Sequence, residues 1–157
     1  MAIEIFTDGA AKGNPGPGGY GAILRFKGKE KELSQGYRKT TNNRMELLAV
    51  IVALEAINTT KHKITVYSDS KYVVDAIEKG WLFGWEKKNF KKKKNIDLWK
   101  RYLPLHRKFN PSYVWVKGHA GHSENERCDQ LAVDAAEKPN QLIDKGFEEQ
   151  DNNNGLF

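Results

Sequence analysis

Hydrophobic and polar positions alternate along some parts of the chain and repeat every three to four residues along others. Alternation bounded by glycine, asparagine or aspartate is typical of half-buried strands. A three- to four-residue spacing behind a capping side chain is typical of helices. These patterns predict strands at 3–7, 20–27, 31–38, 64–68 and 113–117, and helices at 44–57, 70–79, 96–108 and 124–136.

The order of these elements predicts an α/β fold with a mixed sheet. Short turns join the first three strands, which favours an antiparallel meander. Helical crossovers then bring the fourth and fifth strands parallel to the first. Pro104 falls inside the third predicted helix, so we expect that helix to be kinked or split.

Four carboxylates are expected at one edge of this sheet. Asp8 and Asp69 follow the first and fourth strands, and Glu46 lies in the first turn of a helix that begins at the same edge. Asp129 lies early in the last helix, and His119 follows the fifth strand. Open α/β sheets carry their functional sites at such an edge.

Clustered carboxylates repel each other unless a cation neutralises them. A lysine or arginine would make the cluster a structural salt bridge, whereas a divalent ion would make it a metal site. Oxygen ligands alone suit Mg²⁺ or Mn²⁺, and a pair of such ions supports phosphoryl displacement. Zinc is disfavoured, because His119, His122 and Cys128 match no common zinc-binding spacing.

The positive charge of the chain is concentrated in one segment. The 157 residues include 26 Lys and Arg and 20 Asp and Glu, a formal net charge of +6. Residues 86–101, EKKNFKKKKNIDLWKR, hold eight basic and two acidic residues, so this basic segment carries as much net charge as the whole chain. A local patch of this kind favours nucleic acid, although a solvated lysine loop has the same pattern.

Aromatic residues surround the basic segment and make the nucleic-acid interpretation stronger. Rings beside cations can stack on bases or sugars, while some of these rings, Trp99 first among them, are expected in the core. The residues concerned are Trp81, Phe83, Trp85, Phe90 and Trp99.

Composition narrows the class of protein further. Hydrophobic residues make up 39% of the chain, which is enough for a packed core and argues against a disordered protein. No apolar stretch approaches the ~18 residues of a membrane span. The single cysteine, Cys128, excludes an internal disulfide and favours a reducing compartment, so we expect a cytoplasmic protein.

A resemblance to a known family rests on four long segments that occur in the family's order and spacing. The sequence resembles type I ribonuclease H of bacteria from about Ile3 to Ala136, in the segments IFTDGAAKGNPGPGGYGAIL, TTNNRMELLAVIVALEA, YSDSKYVVDAI and WVKGHAGHSENERCDQLA. The resemblance implies an α/β ribonuclease H-like five-stranded mixed sheet, in the order 3-2-1-4-5, flanked by helices. It also implies a Mg²⁺-dependent endonuclease, with Mn²⁺ as a substitute, that cuts the RNA strand of RNA–DNA hybrids by in-line attack of water. The products would carry 5′-phosphate and 3′-hydroxyl ends.

The same resemblance assigns residues to this activity. It makes four acids the metal-binding catalytic residues and His119 a mobile catalytic histidine; the acids are Asp8, Glu46, Asp69 and Asp129. It implies that Gly9 binds substrate, that Asn14, Asn42 and Asn43 contact the hybrid near the cut, and that the Thr41 hydroxyl holds a phosphate of the DNA strand. It implies a grip on the DNA strand by a basic protrusion that includes Trp81, Trp85, Lys87 and Lys88.

Departures from the family pattern concern the substrate contacts and leave the acids untouched. The protrusion is short and almost pure lysine between Phe90 and Asn95, and Phe90 replaces a tryptophan of the family. Lys71 stands where glutamine is common, and Pro104 interrupts a helix that is usually continuous. We therefore expect altered substrate affinity and salt dependence.

We expect a catalytic domain over residues 1–137, followed by a polar and largely disordered tail over 138–157, in a monomeric protein. Three other interpretations stay open at this point. They are a hybrid-binding module without activity, a different nuclease of the same superfold such as a transposase or integrase core, and a structural protein stabilised by metal.

Overall fold

A computed structural model describes residues 2–117 and 122–154 of the chain. The secondary-structure elements of this part are β1 (Ile3–Ala11), β2 (Gly16–Phe26), β3 (Lys29–Thr40), α1 (Asn42–Glu55), β4 (Ile64–Ser68), α2 (Lys71–Glu78), α3 (Trp81–Lys87), α4 (Ile96–Phe109), β5 (Ser112–Trp115), α5 (Ser123–Glu137) and α6 (Lys145–Asn154).

The five strands form one mixed sheet in the order β3-β2-β1-β4-β5, which confirms the predicted topology. β1, β2 and β3 pair antiparallel, whereas β4 pairs parallel to β1 and β5 parallel to β4. The carboxyl-terminal ends of β1, β4 and β5 therefore point to the same edge. The predicted convergence of acids depends on these strand directions.

The two faces of the sheet are covered by different helices. Successive side chains of a strand point to opposite faces, so neighbouring residues of β1 enter different clusters. Ile5 is buried in the main core with α1, whose residues are buried on most faces. Phe6 packs on the other face with Ile23 and with Cys128 of α5.

Helix α5 lies directly on the backbone of β2. A Cβ atom at Gly21 would come within 2.4 Å of the carbonyl oxygen of Cys128, so a larger residue would force the helix away. Gly21 pairs with Asp8 across the β1–β2 ladder. This register and this close approach bring the residue after Cys128, which is Asp129, to the neighbourhood of Asp8.

Several element bounds differ from the sequence prediction. β1 continues beyond Asp8 to Ala11, because its ladder with β2 extends to the pair Ala11 and Gly18. α3 was not predicted, since a seven-residue aromatic segment containing Gly84 has no clear helical period. Only one of its residues, Leu82, is fully buried.

Pro104 does not split α4, which is a single helix over Ile96–Phe109. A proline removes the N–H that would bond to the carbonyl four residues earlier, here that of Lys100. Lys100 is an exposed residue, so this carbonyl belongs to the solvent-facing side of the helix. On the opposite side, Trp99 and Tyr102 are fully buried and hold the helix on the core.

The expected disorder of the tail is wrong for the segment after α5. Leu142 forms a parallel bridge with Tyr37 of β3, and Arg38 donates its backbone N–H to the Leu142 carbonyl over 2.9 Å. Asp144 is buried, and α6 follows it. The local composition is polar, but the partners that order this segment lie about one hundred residues earlier in the chain. None of the helices within residues 2–117 and 122–154 is long and apolar enough to cross a membrane.

Candidate active site

Three carboxylates meet at the carboxyl-terminal edge of β1 and β4. Asp8 lies on β1, Asp69 follows β4, and Glu46 lies in the second turn of α1. Each offers an oxygen, and these oxygens all lie within 4.8 Å of one another. The arrangement could hold a metal ion, as the sequence pattern predicted.

Glu46 is the most strongly perturbed of these acids. Burial raises the pKa of its carboxyl group well above the usual value, and the nearby Asp8 raises it further. Its Oε2 atom is buried and has no hydrogen-bond partner among the described residues. A buried carboxylate oxygen without a partner is costly, and a cation would remove the cost, so the donor set fits a divalent ion.

Gly9 allows β1 and α1 to approach each other at this point. A Cβ atom at Gly9 would lie 2.4 Å from the backbone nitrogen of Glu46, so only glycine fits. The Gly9 N–H donates to Asp8 Oδ1 over 2.8 Å. The residue predicted to touch substrate therefore also sets the distance between two of the acids.

A cleft of about 440 Å³ lies in front of the three acids, and Asp129 lines it. Asp129 is exposed on α5, and it is brought there by the close packing of α5 on Gly21. All four predicted acids thus share one cleft. Four further lining residues were not predicted from the sequence; they are Ala10, Ala11, Ser70 and Tyr72. Their only signal was adjacency to Asp8 and Asp69 along the chain.

The rim of the cleft is made by the start of α1 and the β1–β2 turn. Asn42 and Asn43 line the cleft, and the Asn42 N–H donates to Asn14 Oδ1 over 3.0 Å. Thr41 caps α1, with its Oγ1 accepting from the Arg44 N–H. These contacts tie the turn to the helix.

The predicted aromatic and basic contacts lie on a separate surface formed by α3 and the turn after it. Trp81 is 49% exposed, and Lys87 and Lys88 are exposed at the end of the helix. Trp85 is half-buried, because its ring packs edge-on against Trp99 with centroids 5.9 Å apart. None of these predicted contacts is among the residues that line the cleft within the described part of the chain.

Two aromatic residues of the basic segment belong to the core. Trp99 is fully buried, as expected, and Phe90 is also buried. Both belong to the main hydrophobic cluster and are closed to a ligand. The predicted catalytic histidine, His119, lies outside the described residues.

A second charge cluster surrounds Arg44, two residues before Glu46; Arg44 and Asp144 are buried, whereas Asp97 is exposed. The guanidinium group is 1% exposed and bonds to both oxygens of Asp97 and of Asp144, over 2.7 to 2.9 Å. Burial alone would lower the pKa of Arg44, but these carboxylates outweigh it and leave that pKa raised. Burial would likewise raise the pKa of Asp97, yet its bonds to Arg44 leave that pKa below the usual value.

Comparison with known proteins identifies the family. The sequence model of the RNase H family matches residues 1–137. The chain belongs to the RNase H family. A ribonuclease H of Desulforamulus reducens is 56% identical over 147 residues, which cover 90% of this chain and 92% of that protein.

Solved structures of RNase H proteins have the same fold. LC9-RNase H1, described as a type 1 RNase H with the type 2 active-site motif, superposes with a TM-score of 0.76 at 31% identity and covers 95% of this chain and 80% of that one. LC11-RNase H1 in complex with an RNA/DNA hybrid superposes with a TM-score of 0.62 at 27% identity, over 92% and 99% of the two chains.

Proposed function

We propose that the protein hydrolyses the RNA strand of RNA–DNA hybrids at the acid cleft, using Mg²⁺, with Mn²⁺ able to replace it. The proposal rests on the geometry of the acid cluster in a chain of this family. Three carboxylate oxygens lie within 4.8 Å of one another, and the buried Glu46 has an oxygen without a partner, in a member of the RNase H family. Endonucleolytic cleavage of RNA in hybrids is the activity of this family.

Asp8, Glu46, Asp69 and Asp129 would hold the metal ions. Bound divalent ions supply charge to activate a water for in-line attack and to stabilise the leaving 3′ oxygen, which leaves a 5′-phosphate. The chain's own part is to hold the carboxylates in place. Gly9 contributes by allowing α1 to approach β1, and Gly21 by allowing α5 to approach β2.

The rim residues are candidates for distinguishing RNA from DNA. RNA differs by its 2′-hydroxyl group, which both donates and accepts hydrogen bonds. Asn42 and Asn43 expose amide side chains beside the acids, and Asn14 is tied to the Asn42 backbone. Amides can satisfy both roles of a 2′-hydroxyl, so we assign the reading of the RNA strand to this rim.

We assign the DNA strand to the surface of α3 and the turn that follows it. Trp81 offers an exposed ring, and Lys87 and Lys88 offer cations that can reach phosphates. Lys93 lies over the Trp85 ring, with its Nζ atom 5.1 Å from the centroid. Phosphate contacts of this kind select the shape of a hybrid with little dependence on base sequence.

Replacing Lys91 to Lys94 by alanine should weaken binding and flatten its salt dependence.

The remaining parts of the proposal concern His119 and the setting of the enzyme. We assign His119 a role in proton transfer or product release, by its match to the family motif. We propose a cytoplasmic monomer. The single cysteine, Cys128, can form no internal disulfide, which supports a reducing compartment.

The experiment that tests this function uses one end-labelled RNA strand in three forms: paired with DNA, paired with RNA, and single. Each form is incubated with the protein and either Mg²⁺ or excess chelator. We expect Mg²⁺-dependent cutting of the RNA in the hybrid alone. Binding of the hybrid without cutting would overturn the proposal in favour of a binding module.

A pair of variants on α5 locates the activity. Asp129→Asn removes a carboxylate from the cleft, whereas Asp134→Asn removes one that is exposed on the same helix and outside the cleft lining. We expect the first variant to lose most of its cleavage rate and the second to keep it. Equal rates for the two variants would remove Asp129 from the proposed site.

A further inference from the structure

The acid cleft is also lined by a positively charged residue, Lys71. Lys71 is the first residue of α2 and is exposed, and it is the single lysine or arginine that lines the cleft within the described residues. Asp69 lies two residues earlier on the same wall. A lysine in such surroundings would ordinarily form an ion pair with a carboxylate.

Lys71 is held by an aromatic ring instead. Within residues 2–117 and 122–154 it forms no ion pair, and its Nζ atom lies 4.7 Å from the centroid of the Trp115 ring. A cation over an indole face is attracted to the ring. The ammonium group is therefore positioned while its hydrogen-bond donors remain available to an anion.

Trp115 is itself anchored to the acid site. It ends β5, it is 40% exposed, and its Nε1–H donates to the backbone oxygen of Asp69 over 3.1 Å. The Trp115 ring, which contacts the Lys71 ammonium group, is thus fixed relative to Asp69. Lys71, Trp115 and Asp69 form one unit on a single wall of the cleft.

We infer that Lys71 binds a phosphate of the cut strand next to the scissile phosphate, and that Trp115 is its positioning residue. The inference rests on the proposed function, because that function brings the scissile phosphate to the acids. The phosphates nearest to it are its neighbours in the same strand, and Lys71 is the cleft's cation for them. Lysine binds phosphate as a point charge, which suits a contact without base specificity.

This contact exists before and during the reaction, so it strengthens binding of substrate and transition state alike. Its loss should raise KM and leave kcat nearly unchanged. It should also reduce the salt dependence of KM, since one counterion fewer is released on binding. A lysine with a purely structural role would affect stability and not this slope.

The first test compares Lys71→Gln with Lys61→Gln on a hybrid substrate. Lys61 is an exposed lysine that precedes β4, at the end of that strand opposite to Asp69, so both variants lose one charge. We expect Lys71→Gln to raise KM about 3- to 10-fold near 0.15 M salt and to reduce the salt slope by about one. Lys61→Gln should match the wild type, and equal behaviour of the two variants would overturn the inference.

The second test identifies the phosphate. Hybrids with one cleavable site carry a single neutral methylphosphonate in the RNA strand, on one or the other side of that site. At the contacted position the neutral group should remove the difference between wild type and Lys71→Gln, because the partner of the lysine is already absent. A difference that persists for both positions would contradict a contact with the cut strand.

A variant of Trp115 completes the test. Trp115→Leu should raise KM in the same direction as Lys71→Gln, and the double variant should be no worse than Lys71→Gln alone. Additive effects would deny Trp115 its positioning role, provided that thermal melting shows each variant folded. If the wild type itself fails to cut hybrids, the proposed function fails first, which is a different result from equal Lys71→Gln and Lys61→Gln rates.

Discussion

Two charge clusters are centred on buried residues two positions apart on α1, Arg44 and Glu46, and they are built in opposite ways. Around Arg44 one cation meets two carboxylates, and bonds over 2.7 to 2.9 Å reach both oxygens of each. Around Glu46 three carboxylates meet, and burial together with Asp8 raises the pKa of Glu46. In the first cluster each carboxylate oxygen bonds to the arginine, whereas in the second Glu46 keeps an oxygen without a partner among the described residues and the three acids could hold a metal ion.

The difference separates a cluster that supports the fold from one to which we assign the proposed reaction. Opposite charges with full hydrogen bonding can be buried at little net cost, and losing either partner is expensive. Like charges at close range lower the stability of the fold, and they are retained where a function uses them. Both clusters include a residue of α1. The ion pairs of Arg44 therefore stabilise the position of this helix, whereas repulsion between Glu46 and the nearby acids lowers the stability of the fold.

Asp8→Asn should have the largest effect, and on activity alone. Losing one carboxylate of the metal site should slow cleavage by about three orders of magnitude or more, because bound ions supply several kcal/mol of transition-state stabilisation. Hybrid binding should persist, as measured by fluorescence anisotropy. The melting temperature of the metal-free variant should not fall, since a like charge is removed. Cleavage near the wild-type rate would show that the site is assigned wrongly.

Arg44→Met should have the opposite profile. It leaves Asp97 and Asp144 without their cation, so we expect urea unfolding to lose about 3–5 kcal/mol. The matched control is Arg101→Met, which breaks an exposed pair with Glu55 and should cost no more than about 1 kcal/mol. Equal losses for the two arginines would mean that the buried cluster does not stabilise the fold.

Asp144→Asn should give a smaller loss than Arg44→Met, about 1–3 kcal/mol, because Arg44 keeps Asp97 as a partner. It should also loosen the C-terminal segment, since Asp144 accepts hydrogen bonds from Thr40 and Arg44. Hydrogen exchange at the N–H groups of Arg38 and Leu142 reports this directly, because both bond across that contact. Unchanged exchange there would separate the segment from the Arg44 cluster.

The stability of Glu46→Gln relative to the wild type should change with pH, which tests the repulsion at the acid cluster. The folded protein holds a proton on Glu46 at pH values where the unfolded chain has released it, because the folded pKa is raised. The metal-free wild type therefore loses stability as pH rises from the usual glutamate value through the raised one. We expect Glu46→Gln to match the wild type near pH 4.5 and to exceed it by about 1–3 kcal/mol near pH 8.

Melting curves with chelator at several pH values test this expectation. Adding Mg²⁺ should raise the melting temperature of the wild type and have less effect on Glu46→Gln, because the ion binds the folded state alone. A stability difference that is constant with pH would show that Glu46 is not the titrating group.

Elements that are specified by a local sequence pattern were predictable from the sequence. The alternation of residues 3–7, the short turns up to β3 and the cap at Thr41 each report a local preference, and the structure agrees with them. The direction of the strands followed from those elements and from the rule for crossovers. With the directions known, the placement of Asp8, Glu46 and Asp69 at one edge followed as well.

Other features depended on partners far away in the chain. The segment around Phe90 has the composition of a surface loop, yet Phe90 is buried as part of the main hydrophobic cluster. Pro104 is tolerated since the helix around it is held by Trp99 and Tyr102. Asp144 lies in a polar segment whose order comes from Thr40 and Arg44.

The sequence by itself determined the family, the order of the strands and the four acids of the cleft. These features follow from the local hydrophobic periodicity of each element and from sequence motifs of fixed spacing. Only the tertiary structure decided which charges are paired. Arg44 and Glu46 are both charged residues of one apolar helix; the sequence pattern assigned Glu46 to the acid edge and indicated no partner for Arg44. Their roles differ because one meets two carboxylates from distant segments and the other meets charges of its own sign.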